Sequence, residues 1–397
     1  MSVRVAVVMP RGSQMRRSAP NSMETVACAL LADSRLKART HVLCDAGAPD
    51  PALPDLVTVP DGLGKSRRAD AVARTIETLN PDLIEYHQQL ESSAFLARRL
   101  PGRTHVLYRH TRIKPSRGWL DRLRYGRRLA AFDALVFVSE AARAEFAADY
   151  PRFADRAWAV CNPIDVTGWT ADPADRDKLI AFSGRAMAEK GMEPLCQALE
   201  VVLERFPDWR AALMLGDWDR HAEWAQPRLE PLARFGDRVE IHRSAPLDQV
   251  KTVMRRAAIA VTPSFVAEAL GLSALEAHAA GAALISSGRG GLREASGPHA
   301  VYVEDPQASA LIEAMTALIL DPKRRLALAQ GGQTFVMTTH TPAVRSAQLD
   351  ALRETLVARR SAKGLQRPAA ASRLIPAASG WRRGWPDQRS RRSPSGV

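Results

Sequence analysis

The sequence predicts an α/β protein of two Rossmann-like domains whose parallel sheets face a central cleft. Three observations carry this expectation. Short apolar, β-rich runs at 3–10, 40–46, 56–60, 82–87, 105–110, 134–139 and 157–162 alternate with helical stretches, the recipe for a parallel sheet covered on both faces. The alternation restarts at Leu179–Arg185 and continues through Ala211–Gly216, Val239–His242 and Ile259–Val261. A chain of 397 residues, 46% apolar and 25% charged, has room for two such units with a core each.

Ligands of open parallel sheets gather at the carboxyl ends of the strands, so the residues at those ends are the candidate contacts. The first strand, Val3–Met9, runs into a loop that reaches Asn21 and Ser22. Either of these caps the following helix, and both side chains have donors to offer an anion. Arg16 and Arg17 in that loop either charge the cleft or are solvated. The strand Ile84–His87 brings one histidine to its end. The next brings His110, which closes a buried run and precedes Thr111 and Arg112 in a loop on the cleft side. A neutral imidazole that makes hydrogen bonds suits that position better than a strong base.

From Arg112 to Phe132, Arg112, Lys114, Arg117, Arg122, Arg124, Arg127 and Arg128 oppose Asp121, while Trp119, Leu120, Leu123 and Ala130 recur at helical spacing. This is a basic amphipathic helix. Two readings stay open. A domain helix buries that apolar stripe and solvates its arginines, or the face docks on anionic lipid or on a phosphorylated or acidic glycan acceptor. Asp133–Glu140 reads as a buried strand whose Ser139 caps the next helix. The polar run Thr170–Asp177 lacks periodicity, which puts a boundary near residue 175. The expected division is 1–172, 173–345, a closing helix 346–360 at the end of a helical run 342–360, and a tail 361–397.

The most informative stretch runs from Ala258 to Ser287. A strand stops at Thr262-Pro263-Ser264, a loop carries Glu268, and Gly271 opens an alanine-rich helix ended by Gly281 before another strand. The N–H groups of Gly271, Leu272 and Ser273 then lie at a helix N-terminus, which binds phosphate. An acid at the mouth, Glu268, and a second acid in the helix, Glu276, suit a ligand with sugar hydroxyls at both ends of a diphosphate. A nucleotide sugar is such a ligand.

The Glu268-x7-Glu276 spacing, set within Pro263-Ser264, Gly271-Leu272 and Glu276-Ala277, resembles the donor-site signature of the family 4 retaining glycosyltransferases of GT-B fold. Gly184-Arg185 followed by Lys190-Gly191 resembles that family's G-R-x4-K-G pattern, and Gly290-Gly291-Leu292-Arg293-Glu294 its G-G-x-x-E turn. Asp133 with Ser139, and Cys161-Asn162-Pro163, are similar to its first-domain pattern. The Gly-Gly pair usual in the first loop is missing, and Asn21 and Ser22 stand in its place.

The resemblance implies transfer of a sugar, with retention, from a UDP- or GDP-sugar to a glycan or lipid-linked acceptor. It implies that His110 contacts the donor sugar near the reacting carbon, Glu268 its hydroxyls and Glu276 the ribose. Arg185 and Lys190, with the Gly271, Leu272 and Ser273 amides, would neutralise the departing diphosphate, so that neither a metal nor a cofactor beyond the donor is required. Asp217-Trp218-Asp219 is accordingly not read as a metal site. Two rivals differ in class: a nucleotide-sugar epimerase, which needs no acceptor, and a non-catalytic protein with a transferase-like fold that binds anionic surfaces.

Cys28, Cys44, Cys161 and Cys196 are scattered, with no metal-type spacing, which fits a reducing cytosol. No signal-peptide pattern opens the chain, and no apolar run approaches the ~20 residues that span a bilayer. Of the net charge of +13, residues 361–397 hold +7, from eight Lys or Arg against Asp387. That tail is expected to be disordered, with Trp381 and Trp385 beside Arg382 and Arg383 suited to an anionic membrane. The folded part shows no interleaving of aromatic and basic residues, so no nucleic acid is expected. A cytoplasmic enzyme, peripheral on the inner membrane face and serving envelope polysaccharide or lipopolysaccharide assembly, is the resulting expectation.

Overall fold

The structure, a computed structural model, describes residues 3–15, 21–46, 56–113 and 118–365. Arg16, Arg17, Lys114, Arg117 and the tail from residue 366, with Trp381 and Trp385, lie outside the described residues, as do the side chains of 363–365.

The first sheet contains β1 (Val5–Val8), β2 (Thr40–Asp45), β3 (Leu56–Val59), β4 (Leu83–His87), β5 (Thr104–Arg109), β6 (Ala134–Phe137) and β7 (Ala157–Ala159). These run parallel in the order β3-β2-β1-β4-β5-β6-β7. Helices α1 (Ser22–Ala32), α2 (Lys65–Leu79), α3 (Leu90–Arg99), α4 (Trp119–Leu129) and α5 (Glu140–Asp149) connect them. All seven runs expected from the sequence are strands, because strands covered on both faces read as continuous apolar segments. The structure trims them: β5 stops at Arg109, so His110 stands just past the strand rather than closing it.

The second sheet contains β8 (Asp177–Arg185), β9 (Arg210–Gly216), β10 (Val239–Arg243), β11 (Ala257–Thr262), β12 (Ala283–Ser286) and β13 (Ala300–Tyr302), in the order β10-β9-β8-β11-β12-β13 and again parallel. Its helices are α6 (Met192–Arg205), α7 (Trp218–Leu229), α8 (Leu247–Met254), α9 (Leu272–Ala280), α10 (Leu292–Ser296), α11 (Ala308–Leu320) and α12 (Pro322–Thr339). The chain starts this sheet in its middle, at β8, and builds outward to either side. The break between β8 and β11 is therefore the point where ligands of such sheets bind.

The last helix, α13 (Pro342–Leu365), starts before and ends beyond the closing helix expected at 346–360. It crosses back to the first domain and packs on α1 and β5. One hydrophobic cluster consequently runs through both domains, from Val5 and Val106 through Ile164 and Trp169 to Ala257, Leu284, Leu349 and Leu352. Polar ties accompany it. The Arg353 guanidinium pairs with Glu85 on β4 and with Asp350, and Asp350 accepts from Ser34 Oγ and Arg35 N. On the cleft side, the Glu294 carboxylate of α10 accepts the Glu140 and Ala141 N–H groups at 2.6 Å each, capping α5 from the other domain.

On α4 the structure does not bury the amphipathic stripe as the domain-helix reading expected. Trp119, Leu120 and Leu123 are 75%, 58% and 47% exposed, and Phe95 on neighbouring α3 is 48% exposed. Leu129 is the buried residue of α4. A domain helix would have turned that stripe inward.

Candidate active site

Three loops at the carboxyl ends of β8, β11 and β12 converge on Glu268. The first is held by a close backbone approach: Gly191 has φ 71°, and a Cβ there would lie 2.0 Å from the Pro263 carbonyl oxygen. Only glycine permits this. Phe265 N donates to Glu189 O at 2.9 Å and completes the lock between the β8 and β11 loops. The third loop joins through Glu268 N to Arg289 O at 3.3 Å and Gly291 N to Glu268 O at 2.9 Å. Into this junction Lys190 brings its Nζ, 2.5 Å from Glu268 Oε1, and Ser264 Oγ donates to the same oxygen at 2.6 Å. Lys190 lies in a 3-10 turn, Ala188–Lys190, ahead of α6 rather than in the helix itself. Arg185 closes β8 with an exposed side chain.

Gly271 leads into α9 with φ 100° and no side-chain cap. The Leu272 and Ser273 amides precede the first intrahelical bonds and remain available to an anion. Glu276 sits in the second turn. Burial pushes its carboxyl up to about 7, against the pull of Lys251. A cavity of about 430 Å³ lined by Ser287, Arg289, Arg293 and Glu304 opens beside the β12 loop. A larger one, about 620 Å³, lies beneath α13 at the opposite ends of the first sheet's strands and is remote from this junction.

From the first domain, His110 is half-buried. Its backbone N–H donates to Gln88 Oε1 at 3.1 Å, and its imidazole Nε2 lies 2.9 Å from His87 Nδ1. Burial and the neighbouring His87 hold it well below the usual imidazole range. His87 itself is buried on β4.

Asn21 is committed locally. Its Oδ1 accepts from Met23 N and Glu24 N, while Glu24 answers with its own bond to Asn21 N, a complete capping box. The Glu24 carboxylate also collects Ser13 Oγ, Gln14 N and Met15 N. A negative group thus already occupies the start of α1, leaving the exposed Ser22 hydroxyl and the Asn21 side-chain Nδ2 as the donors there. Glu24 was not singled out from the sequence, although the Asn21-x-x-Glu24 spacing was present. Ser264 stood in the sequence motif, but only as the residue that stops the strand, with no contact assigned to it; Gln88 was missed, and no spacing announces it.

Two facing Rossmann-like domains, with three strand-end loops meeting at the switch point of the second, make the GT-B architecture. The first solved structures that resemble it show the same fold. Anabaena Alr3699/HepE in complex with UDP has a TM-score of 0.70 at 16% identity over 89% of this chain and all of that one. A glycosyltransferase from Rickettsia africae has a TM-score of 0.72 at 14% identity over 90% and 99%.

The sequence matches the model of the glycosyl transferases group 1 over residues 170–335 and that of glycosyltransferase family 4 over 25–167, and the chain belongs to this glycosyltransferase family. Among curated proteins it is 30% identical to the alpha-maltose-1-phosphate synthase of Mycolicibacterium smegmatis over 58% of this chain and 67% of that protein. It is 29% identical to the D-inositol 3-phosphate glycosyltransferase of Corynebacterium urealyticum over 38% and 37%. Among the described residues no helix is long and apolar enough to cross a membrane.

Proposed function

We propose that the chain moves a sugar, with retention, from a nucleoside diphosphate sugar bound in the second domain to an acceptor held by the first. The convergence of Lys190, Glu268, Ser264 and the α9 N-terminus at the β8/β11 break carries this reading. Arg185, Lys190 and the Gly271, Leu272 and Ser273 amides receive the diphosphate, Glu268 the sugar hydroxyls and Glu276 the ribose. As the glycosidic bond breaks, charge accumulates on the leaving diphosphate, and these cations and amides stabilise it. The acceptor hydroxyl attacks from the leaving-group face and passes its proton to the departing phosphate. A uridine nucleotide as the donor carrier is supported by the fold neighbour solved with UDP-glucose.

Calorimetry with UDP and GDP, in the absence and presence of magnesium, tests the site. Metal-independent binding of one nucleotide is expected, lost in the Arg185→Ala, Lys190→Ala double variant. Ribose hydroxyls favour ionised Glu276, whose carboxyl in the empty site is pushed up to about 7. Affinity should therefore fall as pH drops below about 7, approaching tenfold per unit, and Glu276→Gln should flatten that slope. No binding by the folded wild type would refute the donor site.

The acceptor is a phosphate-bearing glycan or a lipid-linked one. The names of the two curated relatives, a maltose-1-phosphate synthase and an inositol 3-phosphate glycosyltransferase, support a phosphate. The exposed apolar stripe of α4 beside Arg122, Arg124 and Arg127 supports an anionic membrane as the place of encounter. Sedimentation with phosphatidylglycerol vesicles should weaken at least about tenfold in Arg124→Glu, Arg127→Glu, since each charge near such a surface is worth on the order of 1 kcal/mol. Undiminished sedimentation would remove the membrane from the reading.

A further inference from the structure

A continuous buried polar chain runs from α13 to His110. Arg353 Nε and Nη2 each donate to Glu85 at 3.0 Å, Glu85 Oε1 lies 3.0 Å from His87 Nε2, and His87 Nδ1 lies 2.9 Å from His110 Nε2. Arg353, Glu85 and His87 are 4%, 1% and 2% exposed. His87 is stacked on Tyr108 with ring centroids 5.1 Å apart, and Tyr108 lies 5.0 Å from His110. Charged groups at the centre of a parallel sheet cost more than the leucine that would fit there, unless the arrangement does something else.

Proton counting along this chain has one outcome for the neutral imidazoles. Ionised Glu85, paired with Arg353, only accepts. His87 must then carry its hydrogen on Nε2, which leaves Nδ1 as an acceptor. His110 must meet that acceptor with Nε2–H, and its own Nδ1 is left as a bare lone pair. Protonating His110 itself is opposed by its burial, by His87 and by the nearby Arg109 guanidinium, with Glu85 alone favouring it.

We propose that Glu85 and His87 are positioning residues that fix His110 in the Nε2–H tautomer, so that its Nδ1 accepts a hydrogen bond from a hydroxyl of the sugar being transferred. This rests on the reading of His110 as a donor-sugar contact. It adds that the contact is acceptor-only and is set from a helix made at the far end of the chain.

Long-range proton–nitrogen NMR of the full chain labelled at histidine, with His110→Asn for assignment, reads the tautomer directly. The expected result is an unprotonated Nδ1 and a protonated Nε2 on His110 at neutral pH. In Glu85→Gln the amide can donate to His87 Nε2, so the His110 tautomer should reverse. His87→Phe keeps the stacking on Tyr108 and removes the hydrogen bond. Both variants should lose about tenfold in kcat, the worth of one buried hydrogen bond, with UDP affinity unchanged as proof of folding. A wild-type His110 protonated on Nδ1, or UDP-binding variants with native kcat, overturns the relay. A His110→Ala enzyme that turns over like wild type overturns the sugar contact itself, whatever the tautomer.

Discussion

Glu268→Gln is expected to lose about a hundredfold in kcat, the scale of removing one preorganised electrostatic contact, while binding UDP as tightly as wild type or tighter. The reason lies in how the empty site is wired. Glu268 Oε1 takes both the Lys190 ammonium and the Ser264 hydroxyl, so the cation proposed to meet the diphosphate is held by the carboxylate proposed to meet the sugar. The amide of glutamine fills the same space without the charge. Lys190 is then released toward the diphosphate, and the sugar loses its charged partner. Single-turnover kinetics beside nucleotide calorimetry separates the two effects. Weakened UDP binding with native kcat would invert the assignment of the two residues.

Arg353→Met is expected to cost about 3–5 kcal/mol of stability, the penalty for stranding one side of a buried ion pair. In the native chain, burial alone would push the Glu85 carboxyl up, but the Arg353 guanidinium, with the His87 hydrogen bond, outweighs it and holds it at about 2. That depressed value contributes stability that is present above the ordinary carboxylate range near 4.5 and is lost as pH falls toward 2. In the variant the sign reverses, because burial without the guanidinium raises the carboxyl. The deficit against wild type should therefore be widest at neutral pH and should narrow on acidification, as Glu85 takes up a proton. Urea unfolding at pH 7.5 and pH 5 checks this. An equal deficit at both pH values would show that lost packing, and not charge, is responsible.

The stretch around Glu268 and α9 was legible because glycines punctuate it. Gly271 and Gly281 both adopt left-handed backbone where the sequence places the helix ends, with Glu268 three residues before the first and Glu276 between the two. Buried strands were legible because they are apolar throughout, whereas β13 spans Ala300–Tyr302 and was too short to stand out from its surroundings.

Partnership was much harder to read. Periodicity placed Trp119, Leu120 and Leu123 on one face of α4, but a sequence does not say whether anything covers a face. Glu85 sits in a strand among apolar neighbours, and nothing local marks it as the mate of Arg353. At Asn21 the difficulty was one of competition: the same side chain serves a capping box and an anion equally well, and the carboxylate three positions on decided for the cap.

The return of α13 also sets an order in time. Glu85 and the guanidinium that neutralises it are 268 positions apart, so at ribosomal rates of about 5–20 residues per second roughly 13–54 seconds separate their appearance. Throughout that interval the nascent first sheet has the carboxylate in its centre and no cation to meet it. The first half of the chain, although it holds every strand of its own sheet, is thus a conditional structure during synthesis, completed by α13.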